Sequence, residues 1–257
     1  MLIDTHCHLD AAEFDADRDA VYAAAMAAGV GRIVVPGVTV NRNFRPKSKI
    51  ADYPACLEAY GIHPLYVDQS SPEDLSRLRD WVQQSPPVAI GEIGLDFYVS
   101  GPDIERQTHF FVEQLKLARE FDLPVLLHVR RAIDPVLKQL RRIGVRGGIA
   151  HAFNGSRQQA DEFIKLGFVL GFGGAMTFSG STRIRELAKT LPLEAIVLET
   201  DAPDIPPAWL NGGRNSPAEL PRIAEGLAEL RGISLTALVA QTAANARAVL
   251  PALQADI

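Results

Sequence analysis

Short aliphatic and β-branched runs alternate with longer segments of helical period along almost the whole chain. There are eight of these strand-like runs, and their spacing is typical of βα units rather than of β-hairpins. A chain of 257 residues also has the length of one α/β barrel, a fold that takes about 250 residues. We predict strands at 2–6, 32–38, 57–63, 88–96, 124–129, 146–153, 168–174 and 195–203.

Strands that alternate with helices form either a closed barrel or an open doubly wound sheet. The chain has no glycine-rich phosphate fingerprint after its first strand and no Pro/Gly-rich linker between domains, so we favour a (β/α)8 TIM barrel as a single domain over 1–257. The stretch 202–217 is rich in proline and glycine and is interpreted as a long loop at the barrel mouth. Helices are predicted at 103–121, 156–166, 183–191 and 217–230, with an extra C-terminal helix at 234–250.

Composition and charge limit the cellular setting and the partners. The chain is 47% hydrophobic and 22% charged, which is ordinary for a globular protein, and no apolar run is long enough to span a bilayer. Its start, MLIDTHCHLD, lacks the features of a signal peptide, so we expect a cytoplasmic protein. The net charge of −5 argues against general affinity for nucleic acid but leaves room for a local basic mouth. Cys7 and Cys56 are expected to be reduced, and no pattern indicates assembly, so we expect a monomer.

Histidines and acids gather at the carboxyl ends of the predicted strands. In a barrel of this type these ends converge on one face, where the active site is built. His109 is different because it lies within a predicted helix, and we interpret it as a structural or surface residue. The residues expected to meet at the mouth are His6, His8, His63, Glu92, His128, His151 and Asp201.

Several features of this set indicate metal binding. Residues two apart in a strand face the same side, so His6 and His8 should project together while Cys7 points away. Glu92 lies between glycines in an apolar strand, where a carboxylate needs a partner that cations could supply. Asp201 shares a short stretch with a second carboxylate, Glu199. Imidazole and carboxylate ligands suit Zn, Mn, Ni, Co, Fe or Mg, and a set of six ligands favours two divalent ions over one.

The motifs DTHCHLD, GIHP, GEIGLDF, PVLLHVRR, HAFNGS, GFGGAMTF and ETDAP occur in this order. Together they resemble the TatD family of metal-dependent hydrolases within the amidohydrolase-like barrels, and most closely its YjjV-like bacterial branch. The resemblance covers the chain from Ile3 to about Leu250. It implies a metal-dependent barrel that hydrolyses phosphodiester bonds in DNA, as a deoxyribonuclease or 3′-to-5′ exonuclease. The expected substrate is single-stranded DNA or a 3′ end.

The resemblance also implies roles for single residues. His6, His8 and Asp201 would bind a first ion, His128 and His151 a second, and Glu92 would bridge the two. His63 and Arg130 would face the substrate phosphate, and Arg214 with Asn215 resembles the RN-x-P loop of the family. Asp201 would act as the general base for the attacking water. The ions would be Mg, Mn, Zn or similar.

The chain departs from the family pattern at a few positions. Val129 stands where many relatives have the serine of LHSR, and Asn154 where they have the serine of HAFSGS. Both lie beside the predicted site, so they bear on substrate preference rather than on metal binding. The segment 41–55 also differs from the usual helix, and we interpret its extra basic groups as a solvated helix face. These groups are Arg42, Arg45, Lys47 and Lys49.

Two alternatives remain open from the sequence. One is an amidohydrolase or lactonase that acts on a small ester or amide. Binuclear members of that class commonly carry a carboxylated lysine on the fourth strand, where this chain offers Glu92. The other is a barrel without activity that binds a metal or nucleic acid, although six candidate ligands weigh against it.

Overall fold

A computed structural model describes residues 1–40, 49–101 and 103–254 of the chain. Within these residues eight strands run parallel to their neighbours. A helix or short helical turns follow each described strand except the second, whose following segment includes residues outside the description. The strands are β1 Leu2–Asp4, β2 Val30–Pro36, β3 Cys56–Ala59, β4 Ile90–Asp96, β5 Val125–Arg130, β6 Gly148–Ala150, β7 Phe168–Phe172 and β8 Ile196–Leu198.

The described part of the chain also holds eight α-helices, numbered in chain order. Each of the five predicted helices is present within a few residues of its expected bounds. Three further helices, α1, α2 and α4, were not predicted. The helices are α1 Arg18–Ala27, α2 Pro72–Gln84, α3 Ile104–Glu120, α4 Ile133–Ile143, α5 Arg157–Lys165, α6 Thr182–Thr190, α7 Leu220–Arg231 and α8 Leu235–Val249.

The strands close into a barrel. Two ladders, β1–β2–β3 and β4 to β8, are joined by a parallel bridge between Tyr60 and Ile90. At the other seam the Thr5 N–H donates to the Leu198 carbonyl over 3.1 Å, which ties β8 to β1. With helices between most successive strands of the described residues, the architecture is the predicted (β/α)8 barrel.

Apolar residues fill the barrel and close one of its ends. Ile3, Val34, Leu126, Ile149 and Val197 come from five different strands and form one buried cluster. Helix α8 and the turn after it add Ala246, Leu250 and Leu253 to the same cluster. The Asn245 side chain donates to the carbonyls of Leu193 and Ile196, where β8 begins. The predicted C-terminal helix therefore covers the end at which the strands start and leaves the opposite end open.

Several strands end earlier than the sequence predicts. β1 ends at Asp4 instead of residue 6, and β8 ends at Leu198 instead of residue 203. His6, His8 and Asp201 consequently lie in the irregular segments just after their strands. There the backbone leaves the ladder, so polar side chains can turn toward the barrel axis.

Further expectations concern the cysteines and the membrane. Both cysteines are free thiols, with Cys7 buried in the core as predicted. Residues 41–48 of the basic segment lie outside the described residues, while Lys49 pairs with Asp15. None of the helices in the described part of the chain combines the length and apolar character that a membrane span requires.

Candidate metal centre

Glu92 lies at the centre of the open barrel end, with 1% of its surface exposed. Its Oε2 atom faces the His-x-His pair, 3.2 Å from His6 Nε2 and 3.4 Å from His8 Nε2. Asp201 approaches the same two nitrogens, with Oδ1 at 3.6 Å from His6 and 3.7 Å from His8. One carboxylate oxygen of Glu92 thus belongs to a group of two imidazoles and a second carboxylate.

The other oxygen of Glu92 faces a different set of histidines. Its Oε1 atom lies 2.8 Å from His128 Nδ1 and 2.9 Å from His151 Nε2. His63 Nε2 is 3.5 Å away on the same side. The two oxygens of this single carboxylate therefore face different imidazole nitrogens, Oε2 those of His6 and His8 and Oε1 those of His128 and His151.

Hydrogen bonds at the far ring nitrogens distinguish these histidines. His128 Nε2 lies 2.9 Å from the Asp96 carboxylate, and a hydrogen on this nitrogen makes Nδ1, which faces Glu92, available as a ligand atom. At His63 the order is reversed, because the Leu65 backbone N–H donates to Nδ1 over 3.1 Å. Nε2 of His63 then carries the hydrogen and is a donor rather than a ligand.

A buried carboxylate fixes the segments that carry His6 and Asp201. Asp4 accepts hydrogen bonds from the Thr200 backbone N–H at 3.0 Å and from the Thr200 hydroxyl at 2.6 Å. The His6 N–H donates to the same carboxylate, and the Asp201 N–H donates to the His6 carbonyl over 2.8 Å. The ends of β1 and β8 are thereby held together, and their ligand-type side chains with them.

The charges within the cluster depend strongly on each other. Burial raises the pKa of Glu92, but His151 and His6 outweigh this and hold it well below its usual range. Burial lowers the pKa of His151, but the Glu92 carboxylate outweighs this and raises it to about 10. The same balance raises the pKa of His8 to about 9. The buried carboxylate thus requires positive charge at its two oxygens, which protons or cations can supply.

The arrangement fits divalent metal ions. Nitrogen and oxygen atoms bound to one ion at about 2.1 Å lie about 3 Å from each other, as do several atom pairs around Glu92. Three overlapping groups of side chains bring ligand atoms within 4.8 Å of one another. The groups are His6–Glu92–His151, His6–His8–Asp201 and His63–Glu92–His128.

A cavity of about 930 Å³ opens next to the cluster. Three arginines line it, namely Arg130, Arg131 and Arg183, and the residues of the cluster that line it are His8, His63, Glu92, Asp96, His128, His151 and Asp201. The Arg183 guanidinium is held by the Asn154 side-chain oxygen, at 3.1 and 2.6 Å. The cavity therefore places positive charge beside the acidic and imidazole cluster, although Asp10, Glu13 and Asp204 also line it.

The structure brings the six predicted ligands and His63 into one cluster and places Arg130 at the mouth of the cavity. Two other residues named from the sequence lie elsewhere. Arg214 pairs with Asp17 on the outside of the barrel. Asn215 is fully buried and holds the loop after β8. His109 is exposed on α3, as expected.

The sequence analysis missed Asp96, and it mentioned Glu199 without assigning it a role in the site. Asp96 stands four positions after Glu92 in the same strand, so its side chain faces the same side, and that even spacing is a signal that could have found it. Glu199 is buried with Oε1 3.9 Å from His151 Nδ1. Burial raises the pKa of Glu199 to about 8.

Comparison with known proteins agrees with this geometry. The "uncharacterized metal-dependent hydrolase YjjV" of Escherichia coli strain K12 is 40% identical over 232 residues, covering 89% of this chain and 90% of that protein. The "3'-5' ssDNA/RNA exonuclease TatD" of Cronobacter sakazakii is 34% identical over 257 residues, covering 95% and 96%.

A solved structure and a family model extend the comparison. The crystal structure of YjjV, a TatD homologue from Escherichia coli K12, superposes with a TM-score of 0.93 at 37% identity, over 97% of this chain and 98% of that chain. The model of the family "TatD related DNase" matches residues 3–251. The match spans every strand and ligand-type residue described above, and so the chain belongs to the TatD-related DNase family of metal-dependent hydrolases.

Proposed function

We propose that this hydrolase is a deoxyribonuclease that removes nucleotides from the 3′ ends of single-stranded DNA with two divalent ions, Mg, Mn, Zn or similar. The single observation that carries the proposal is the position of Glu92, whose two oxygens face two different sets of ligand atoms. A relative of 34% identity that is named a 3′-5′ ssDNA/RNA exonuclease supports the substrate class. The arginines around the cavity support it independently, because they suit a polyanion.

The candidate ligands around Glu92 would form two metal sites. His6, His8 and Asp201 would hold the first together with Glu92 Oε2. The second would be held by Glu92 Oε1 and two histidines, His128 through Nδ1 and His151 through Nε2. When bound, such ions polarise a phosphate and activate water for attack.

The side chains of the chain itself then have distinct tasks. Asp201 lies at the edge of the cavity and would accept the proton of the attacking water as general base. His63 would donate its Nε2 hydrogen to a phosphate oxygen, because its Nδ1 is engaged by the Leu65 N–H. Arg130, which is exposed at the mouth, would donate to the same phosphate through its planar guanidinium.

The alternative amidohydrolase or lactonase chemistry is less well supported. The fourth strand, IGEIGLD, offers a carboxylate and no lysine at the position between the two ligand sets. A barrel that binds without cleaving would have little use for so many ligand-type side chains around one buried carboxylate. The cytoplasmic location, single domain and monomeric state remain predictions.

The test is hydrolysis of single-stranded oligonucleotides with free and blocked 3′ ends, after chelation and reloading with Mg, Mn or Zn. We expect stepwise release of mononucleotides from the free end, no activity in the chelated protein, and strong protection by the 3′ block. A panel of small esters, lactones and cyclic amides is run in parallel. Turnover of that panel without cleavage of any oligonucleotide would contradict the proposal.

A further inference from the structure

Two neighbouring arginines share one tyrosine ring at the mouth of the cavity. The guanidinium carbon of Arg130 lies 3.8 Å from the centre of the Tyr98 ring, and that of Arg131 lies 4.6 Å from it. Tyr98 is 50% exposed, an unusual position for a large aromatic residue, and all three side chains line the cavity. We call Tyr98, Arg130 and Arg131 the arginine clasp.

The donors of the clasp are free. Among the residues that the structure describes, neither Arg130 nor Arg131 donates a side-chain hydrogen bond or forms an ion pair, and both guanidinium groups contact the Tyr98 ring. Other arginines are neutralised locally, as Arg214 is by Asp17 and Arg141 by Glu162. Stacking on an aromatic face leaves the guanidinium N–H groups available at the ring edge. Two uncompensated charges with free planar donors form a site for an anion.

The local backbone positions Arg130 and Arg131 beside the Tyr98 ring. Asp96 Oδ1 accepts the N–H groups of Tyr98 at 2.9 Å and Val99 at 3.0 Å, which fixes the turn after β4. Arg131 has a φ of 54°, the left-handed region that an arginine rarely adopts. Residues in such conformations cluster at functional sites. The turn lets Arg131 return to the same ring as its neighbour Arg130.

The clasp lies directly beside the candidate metal centre. Asp96 accepts a hydrogen bond from the clasp turn at Oδ1, and its Oδ2 lies at hydrogen-bond distance from His128. One carboxylate therefore contacts both the clasp and the metal centre. His128 precedes Arg130 by two residues on β5, and strand pairing sets Asp96 opposite Arg130. If a nucleic acid binds with the phosphate to be cleaved at Glu92, its neighbouring phosphate would therefore lie near the clasp.

We propose that the arginine clasp is a second phosphate subsite, which binds the phosphodiester or phosphate on the 5′ side of the one that is cleaved. This inference rests on the proposed function, since it needs a nucleic acid in the cavity. Arg131 and Tyr98 supply the specificity for substrates with two adjacent phosphates. The scissile phosphate itself is served by the metal-ligating cluster, by His63 and by Arg130, whose guanidinium has donors for both phosphates.

The test compares two dinucleotides, d(TpT) with one phosphate and d(pTpT) with an added 5′ phosphate. For the wild-type protein we expect kcat/KM to be about tenfold or more higher for d(pTpT), the range of a charge-assisted contact. Arg131→Gln should bring this ratio to about one and leave kcat/KM for d(TpT) within about twofold of the wild-type value. Tyr98→Ala should reduce the ratio, and Tyr98→Phe should retain it because the ring remains.

Arg142→Gln is the matched control, since Arg142 is exposed on α4 and does not line the cavity. A wild-type ratio near one, or a ratio that is unchanged by Arg131→Gln, overturns the proposal that the clasp is a second phosphate subsite. Cleavage of oligonucleotides in the same experiments would still support the proposed nuclease function. Equal loss on both dinucleotides also overturns it, because the effect is then not specific to the second phosphate. If no oligonucleotide is cleaved at all, the proposed function fails and this inference fails with it.

Discussion

His128 and His63 lie on the same side of Glu92, yet their hydrogen bonds give them different chemistry. A carboxylate faces the far nitrogen of His128, which allows the near nitrogen to act as a ligand, whereas a backbone N–H donates to the far nitrogen of His63, so that the near one carries the hydrogen. Burial also lowers the pKa of His63 to about 4, which keeps its ring neutral. At the scale of single residues, we therefore expect these outer hydrogen bonds to make His128 a metal ligand and His63 a donor to the substrate.

Asp201→Asn tests the general base. We expect the fold to be retained, because the Asp201 backbone bond to His6 does not involve the side chain. Turnover should fall by about 100-fold or more, since an amide cannot accept the proton. The measurement is kcat on an oligonucleotide together with the thermal midpoint of unfolding. Near-normal kcat in a folded variant would remove the role assigned to Asp201.

Asp96→Ala tests the orientation of His128. Loss of the carboxylate frees the ring, and we expect affinity for the second ion to fall by about 10- to 100-fold. Titration calorimetry with Mn or Zn measures this affinity directly. Asp204→Ala is the matched control, because Asp204 is an exposed carboxylate at the same cavity and does not contact His128. Equal affinities in the two variants would contradict the role of Asp96.

The sequence, together with the family resemblance, predicted the ligand-type residues and their division between two ions, but not which ring nitrogen of each histidine faces Glu92. His6, His8 and Glu92 could be predicted because imidazoles at a strand end and a carboxylate between apolar residues have few structural uses. The clasp could not, because it depends on a turn that brings Tyr98 under Arg130 and Arg131. Contacts of this kind arise from backbone geometry that no local pattern encodes.

At the scale of elements, the loop after β8 was correctly interpreted as part of the mouth, since Pro203, Asp204 and Ile205 line the cavity. Its shape depends on Asn215. Helix α2 was missed although its start carries a capping box between Ser71 and Asp74. Strand ends were predicted too long because polar residues after a strand resemble its continuation in sequence, whereas the ladder ends where the chain turns inward.

Asn215→Ala tests the loop. The side-chain nitrogen donates to the carbonyls of Thr200 and Asp204, each at 2.8 Å, and to that of Ile205 at 3.2 Å. Removing this donor leaves buried acceptors unpaired, so we expect the free energy of unfolding to fall by about 2 kcal/mol. Activity should fall as well, because the carbonyl of Thr200 adjoins Asp201. Urea unfolding and kcat are the measurements, and wild-type values for both would contradict this account.

At the scale of the whole molecule, the barrel separates stability from chemistry. Helix α8 closes the end where the strands begin, and the ligand cluster lies at the end where they finish. The sequence predicted this arrangement in outline because strand order and chain length together define the barrel. The position of α8 across the barrel end was not predicted, since it depends on packing between distant segments.

Leu250→Ala tests this separation. Leu250 is fully buried where α8 ends, so its truncation should lower the free energy of unfolding by about 2–5 kcal/mol. Below the unfolding transition we expect metal content and kcat to match the wild type. Chemical denaturation and kinetics on the same preparation measure both. A stable variant that has lost its metal would show that the two ends are coupled.

The central claim is that Glu92 lies between two metal ions held by residues from all around the barrel. Anomalous diffraction from crystals loaded with Mn tests it most directly. We predict two peaks on either side of the Glu92 carboxylate, one beside His6, His8 and Asp201 and the other beside His128 and His151. A single peak, or none near Glu92 in protein that still hydrolyses DNA, would contradict the account.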